Sequence, residues 1–132
     1  MLSVLLVDDE ANFRRALAIA MRLDGHLVFE TSNTADARAA LERGAFDAVV
    51  INLLLQDGDA LVLAGFLTGR IAERLSAAPG LPFPVLCSPH PEALRAARKQ
   101  VPTALQLERP FTASALTDLV RSARHAARLA LS

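Results

Sequence analysis

Four places in this chain set a polar or charged residue directly behind an apolar run, and these are where chemistry is to be sought. Asp8 and Asp9 follow Ser3–Val7, Asn52 ends the run Val49-Val50-Ile51, Ser88 follows Pro84–Cys87, and Arg109-Pro110-Phe111 comes just after Ala104–Leu107. If the runs are strands of an open parallel sheet, these residues stand at the strands' carboxyl ends, where such sheets bind ligands near the switch in strand order. Packing alone does not put polar residues at corresponding ends of four strands. Negative charge at a helix start is favourable, which accounts for Asp9-Glu10 as a cap but not for the matching positions elsewhere.

Other candidates carry less. His26, His90 and His125 are scattered without partner spacing and read as surface or loop histidines, not as a metal site or phosphohistidine. Cys87 is the only cysteine and lies inside an apolar run, so it reads as a buried structural thiol and no disulfide can close within the chain. That usage fits a reducing cytoplasm. Phe13, Phe29, Phe46 and Phe66 sit on element faces and read as core. Arg121, Arg124, His125 and Arg128 share one side of the last predicted helix, joined by Arg95, Arg98 and Lys99 from the short helix before it. This basic side reads either as a docking or self-association face or as a solvated arginine-rich surface.

The elements that must position these residues follow from periodicity. A chain of 132 residues, 52% hydrophobic and 21% charged, is long enough for one domain with a full core. We read residues 1–132 as that single domain, with no internal repeat or linker. Strands are predicted at Ser3–Val7, Leu27–Glu30, Asp47–Asn52, Pro84–Cys87 and Ala104–Leu107. Helices are predicted over 10–24 (apolar stripe Phe13, Ala16/Leu17, Ala20, Leu23), 34–43, 60–77 and 91–100, and from Thr112 nearly to Ser132, with Leu116, Val120, Ala123 and Ala127 inward. Gly25 and Gly44 are helix stops, Ser32 or Asn33 caps the second helix, Asp57-Gly58 forms a turn, and Ala78–Pro82 breaks the third helix. Five β-α units in succession imply a doubly wound α/β fold, a parallel sheet with helices on both faces and right-handed crossovers.

Charge and hydropathy exclude other classes. The formal net charge is zero, which argues against direct nucleic-acid binding. Residues 1–89 hold seven arginines against eleven carboxylates, a balance of −4, whereas 90–132 hold seven Arg/Lys against three carboxylates, a balance of +4. No apolar run is long enough for a membrane span, and the apolar start runs straight into Asp8-Asp9-Glu10 without a basic leader, so it is predicted to be a strand rather than a signal peptide.

Taken in order, the pieces resemble the receiver domain of bacterial response regulators over essentially the whole chain. Val7-Asp8-Asp9-Glu10 is similar to the family's acidic start, and Asn52 through Ala60 to its phosphoacceptor loop, usually Asp-x-x-x-Pro-x-x-Asp-Gly. Pro84–Ser88 is similar to the fourth strand with its terminal Ser/Thr, and Arg109-Pro110-Phe111 to the usual Lys-Pro-Phe. The resemblance implies a CheY-like (flavodoxin-like) sheet of order 2-1-3-4-5 and phosphoryl transfer from a histidine kinase to an aspartate. It implies that Asp8, Asp9 and the carbonyl of Leu54 would hold Mg²⁺. Ser88 and Arg109 would bind phosphoryl oxygens, Pro110 would follow a cis bond, and the surface of the fourth helix, fifth strand and fifth helix would be the output or dimer face.

The sequence departs from that pattern at the acceptor itself. Asn52 offers a carboxamide where an anionic oxygen must attack phosphorus, and it leaves Mg²⁺ two carboxylates instead of three, so metal binding is expected to be weak or absent. Arg109 replaces lysine with a larger planar cation, leaving two arrangements open: an ion pair with Asp8 or Asp9, or a side chain turned to solvent. Gln56 and Ala60 replace the loop's Pro and Gly, and Gln106 stands at the switch position where an aromatic is usual. The expected function is that of an atypical cytoplasmic pseudo-receiver, not an enzyme, which signals by protein–protein contact with a kinase, an effector or a second copy. Two alternatives stand beside it. One is a working receiver whose aspartate was changed to Asn52, or which uses Asp57 or Asp59 instead; the other is a sensor that reuses the pocket for a small ligand.

Overall fold

Alternating short apolar runs and amphipathic segments resolve into five strands and five helices in the computed structural model, which describes residues 1–74 and 82–131. The strands are β1 (Ser3–Val7), β2 (Leu27–Thr31), β3 (Ala48–Asn52), β4 (Phe83–Ser88) and β5 (Leu105–Glu108). The helices are α1 (Ala11–Leu23), α2 (Thr34–Arg43), α3 (Ala60–Arg74), α4 (Pro91–Gln100) and α5 (Ala113–Leu131). All strand pairs are parallel, and the sheet order is β2-β1-β3-β4-β5, as the resemblance implied. The last residues of the predicted third helix and its breaker, Pro82 apart, lie outside the described residues.

Strand alternation builds two cores. Leu5, Val7, Val49, Ile51 and Leu86 face α2, α3 and α4, which bury Ala37, Leu63, Leu67, Leu94 and Ala97 against them. Val4, Leu6, Val50, Val85 and Cys87 face α1 and α5, where Leu17, Ala18, Met21, Leu116 and Val120 close the other layer. None of the described helices is long and apolar enough to cross a membrane.

Local chemistry sets the ends. Gly25 at φ 87° and Gly58 at φ 75° supply the left-handed backbone that ends α1 and turns the β3–α3 loop. Asn33, not Ser32, caps α2, its Oδ1 accepting from Asp36 N at 2.8 Å. Gly44 ends α2 in extended backbone rather than a left-handed stop.

Several expectations shift. The buried stripe of α1 is Leu17, Ala18 and Met21, while Ala16 is exposed and Leu23 is 82% exposed. The run from Ala16 to Met21 is apolar all round, so its spacing fits two overlapping stripes. Phe29 and Phe66 are exposed rather than core: Phe29 stands on the edge strand β2, and Phe66 takes the Arg38 guanidinium over its ring at 4.9 Å. His26 is buried, not a surface residue; its Nδ1 accepts from Leu2 N at 2.9 Å and so satisfies the amide that precedes β1. Ala123 and Ala127 are half-buried, because the inward face of α5 is Ala113, Leu116, Thr117 and Val120.

Candidate functional site

Register brings the site together. Val7 is paired with Ile51, so the next residues, Asp8 just past β1 and Asn52 at the last position of β3, lie side by side on the α1/α5 side of the sheet. Asn52 is buried, and its Nδ2 donates to Asp8 Oδ1 at 3.1 Å and to Asp9 Oδ1 at 3.4 Å. Leu54 N donates to Asn52 Oδ1 at 3.1 Å, which fixes the amide with its donor side toward the two acids. Asp8 Oδ1 also accepts from Glu10 N at 2.9 Å, and Asp9 Oδ2 accepts from Gln56 N at 2.8 Å.

Arg109 takes the first of its two open arrangements. Its guanidinium lies 3.4 Å from Asp8 Oδ2, and its side chain is 9% exposed. Glu10 Oε2 accepts from the same guanidinium. The group sits 3.9 Å over the Phe13 ring, which meets Phe111 edge-on with centroids 5.3 Å apart. Glu10 and Phe13 are therefore site residues that the sequence reading passed over as cap and core. Their one signal was spacing: three apart at the start of a helix, they project to the same side. The Arg109–Pro110 bond is cis, as the resemblance implied.

Burial is the main influence on Asp8 and raises its pKa above the usual carboxylate range. The Glu10 N–H, Arg109 and the Asn52 amide work against that rise, while Asp9 adds to it. Behind the pocket, burial pushes the Cys87 thiol up to about 12, so it stays an inert core group.

Ser88 is not drawn into this cluster. Asn52 pairs with Cys87, so Ser88 is one residue further along and alternation turns it to the other face. Its hydroxyl is fully buried and accepts from His90 N at 3.1 Å. Gln106 also points to the α4 side, where Nε2 donates to Leu94 O at 2.7 Å and Oε1 accepts from Arg98 at 3.0 Å. A shallow cleft of about 360 Å³ opens above the ion pair, walled by Phe13, Leu54, Pro89, Arg109 and Pro110.

The β3–α3 loop is tied to the start of α2 through Asp57. Asp57 Oδ2 accepts from Thr34 N at 2.9 Å and from its hydroxyl at 3.0 Å, and Oδ1 accepts from Asp59 N at 3.0 Å. The bond from Thr34 N is the largest of the effects that hold the Asp57 pKa below its usual value. A lowered folded-state pKa stabilises the protein above the unfolded value and loses that contribution as pH falls through the folded one. Asp57→Ala is expected to cost about 0.5 kcal/mol at neutral pH, the low end for a lost helix cap, because the carboxylate is exposed and water screens it. The difference from wild type should vanish in acid, measured by urea unfolding over a pH series.

The basic residues divide. Because α4 and α5 pack on opposite faces of the sheet, Arg95, Arg98 and Lys99 are on one layer and Arg121, Arg124 and Arg128 on the other. Arg98 is engaged by Gln106, and Arg124 pairs with Asp47 at 3.3 Å, near the amino end of β3.

Neither a protein-family model nor a curated protein sequence matches the chain. Solved structures do. The receiver domain of NtrX from Brucella abortus superposes with a TM-score of 0.74 at 26% identity, covering 93% of this chain and 98% of that one. NtrX from the same organism in complex with ADP gives 0.75 at 23% identity over 97% of this chain, which spans only 27% of that longer protein. A CheY-like receiver domain from Methylobacillus flagellatus gives 0.71 at 22%, covering 92% and 98%. The chain has the fold of a response-regulator receiver domain.

Proposed function

We propose that this chain is a receiver-type signalling module that works without phosphorylation, its acceptor pocket closed by internal contacts. The observation that carries the reading is the pair of donors on Asp8: the Asn52 amide on one oxygen and the Arg109 guanidinium beside the other. Magnesium requires hard oxygen ligands in near-octahedral array. Here an N–H and a cation face the carboxylates that would supply them, so the donor set does not fit the ion and binding is weak. A carboxamide has no anionic oxygen with which to attack phosphorus. Glu10 and Phe13 hold Arg109 as well, a set of contacts that exchanging aspartate for asparagine at position 52 does not by itself create.

The output is protein–protein contact in the cytoplasm, with a kinase, an effector or a second copy, through the basic surfaces of α4 and α5. Gln106, bonded to α4, takes the place of a mobile aromatic, which favours a fixed output surface. The cleft above Arg109 supports small-ligand sensing as a second reading. The test is incubation with acetyl phosphate and Mg²⁺ followed by intact mass measurement. An unchanged mass is expected; addition of one phosphoryl group, on Asp57, Asp59 or elsewhere, would overturn the proposal.

A further inference from the structure

At the opposite end of the sheet, α5 presents Arg121, Arg124, His125 and Arg128 at helical spacings of three and four, so all four project to one side. With Met1 and Leu2 they line an open cleft of about 370 Å³ under the amino end of β1. That volume lies in the range of small-ligand sites. Among the described residues the cluster makes one ion pair, Arg124 with Asp47. Asp47 also accepts from Ser3 N at 2.7 Å, so its carboxylate is anchored to the sheet and holds Arg124 in place. Arg121 and Arg128 are exposed and make no ion pair among the described residues. Like charges at these spacings repel and destabilise a helix. The helix dipole offsets this for Arg128 in the last turn but not for Arg121 and Arg124 in mid-helix, since the effect fades within one turn.

We infer that this cleft binds a multiply charged phosphate group, gripped by the guanidiniums of Arg121, Arg124 and Arg128. The planar fork of arginine matches phosphate oxygens two at a time. The three arginines lie within two turns of one helix, about 10 Å from first to last, which suits a compact polyanion better than an extended acidic segment. The site is independent of Asn52 and stands whether or not the acceptor pocket is silent.

The test uses sodium tripolyphosphate as a soluble probe and vesicles containing phosphatidic acid as a lipid probe, with sodium chloride at matched ionic strength as control. The protein is compared with the Arg121→Ala/Arg128→Ala variant, whose substitutions lie on the surface and, by relieving like-charge repulsion, should leave the unliganded melting midpoint equal or slightly raised. Saturable tripolyphosphate binding by calorimetry, weakened roughly ten- to a hundredfold in the variant, is expected from the loss of two charged hydrogen-bonding groups. Vesicle capture that needs the same arginines would place the phosphate on a lipid headgroup. Binding equal in protein and variant, no binding to either probe, or tighter capture of an oligoglutamate peptide than of tripolyphosphate overturns the assignment.

Discussion

Replacing Arg109 with methionine is expected to lower the unfolding free energy by about 3 kcal/mol at neutral pH, because removing one side of a buried pair leaves the other charge unanswered. Side-chain exposure is 9% for Arg109 and 7% for Asp8, so solvent does little to replace the lost partner. Glu10 is mostly exposed and returns to water at small cost. Methionine keeps an apolar contact with Phe13, which isolates the electrostatic loss. The pH dependence has a definite sign. Burial already raises the Asp8 pKa, and Arg109 opposes that rise. Without Arg109 the folded-state value climbs further, so the folded protein takes up a proton over a wider window than the unfolded chain. A group with a raised folded pKa contributes stability below its unfolded value and loses it as pH rises through the folded one. The penalty should therefore be small in mild acid and grow toward neutrality, read by urea unfolding at each pH. Asp8→Asn/Arg109→Met should recover most of the loss. If the double variant is as unstable as the single one, the ion pair is not what Arg109 contributes.

The same residues separate what was legible in the sequence from what was not. The adjacency of Asp8 and Asn52 followed from two apolar runs of similar length ending in polar residues, because parallel strands in one sheet present their ends together. Ser88 looked equivalent by that logic, yet it faces away. Its placement depends on register, and a shift of one residue moves a side chain to the other face. Arg109 was a different problem. Its direction is chosen by long-range partners, an acid just past β1 and an aromatic from α1, and no local pattern decides between them and water. The burial of the loop residue His26 and the exposure of Phe29 were hidden for a related reason: burial at a sheet corner or edge depends on which neighbour covers it, not on residue type.

The two faces of the sheet bear on output as well. Basic residues that looked like one surface in the sequence are divided by it, so a partner reading Arg95 and Lys99 approaches from the α4 side, and one reading Arg121 from the α5 side. Gln106 on β5 belongs to the first of these, through its bonds to Leu94 and Arg98. A change of state at Asp8 has a short path to it, through the ion pair with Arg109, which stands one residue past the end of β5 and is itself held by Glu10 and Phe13. Under the reading proposed above, the paired Arg109 stays in place and this surface is constant rather than toggled.

Asn52→Asp is the substitution that tests this picture most severely, and it should destabilise the protein. It removes an amide that donates to two carboxylates, at 3.1 and 3.4 Å, and puts a third carboxylate in its place. Carboxylates that close cannot all remain ionised, so one pKa is driven sharply upward. Proton uptake limits the damage: holding a proton about three pH units above the ordinary carboxylate value costs roughly 4 kcal/mol, which sets the ceiling at neutral pH. A loss of about 2 to 4 kcal/mol is thus expected in chelator, shrinking as pH falls, since protonation in the folded state relieves the crowding. The third carboxylate also restores a hard oxygen donor, so the variant, unlike wild type, should gain stability with Mg²⁺ in proportion to occupancy. Arg109 still competes for Asp8, so Asn52→Asp/Arg109→Lys should respond to Mg²⁺ more strongly, because the ammonium of lysine lacks the fork that spans Asp8 and Glu10. Thermal unfolding with and without Mg²⁺ reads all three proteins. No Mg²⁺ response in wild type or in Asn52→Asp, with a response in the double variant, would mean that Arg109 rather than the Asn52 amide keeps the pocket closed, whereas an equal positive response in wild type and Asn52→Asp would mean that the pocket is not closed at all.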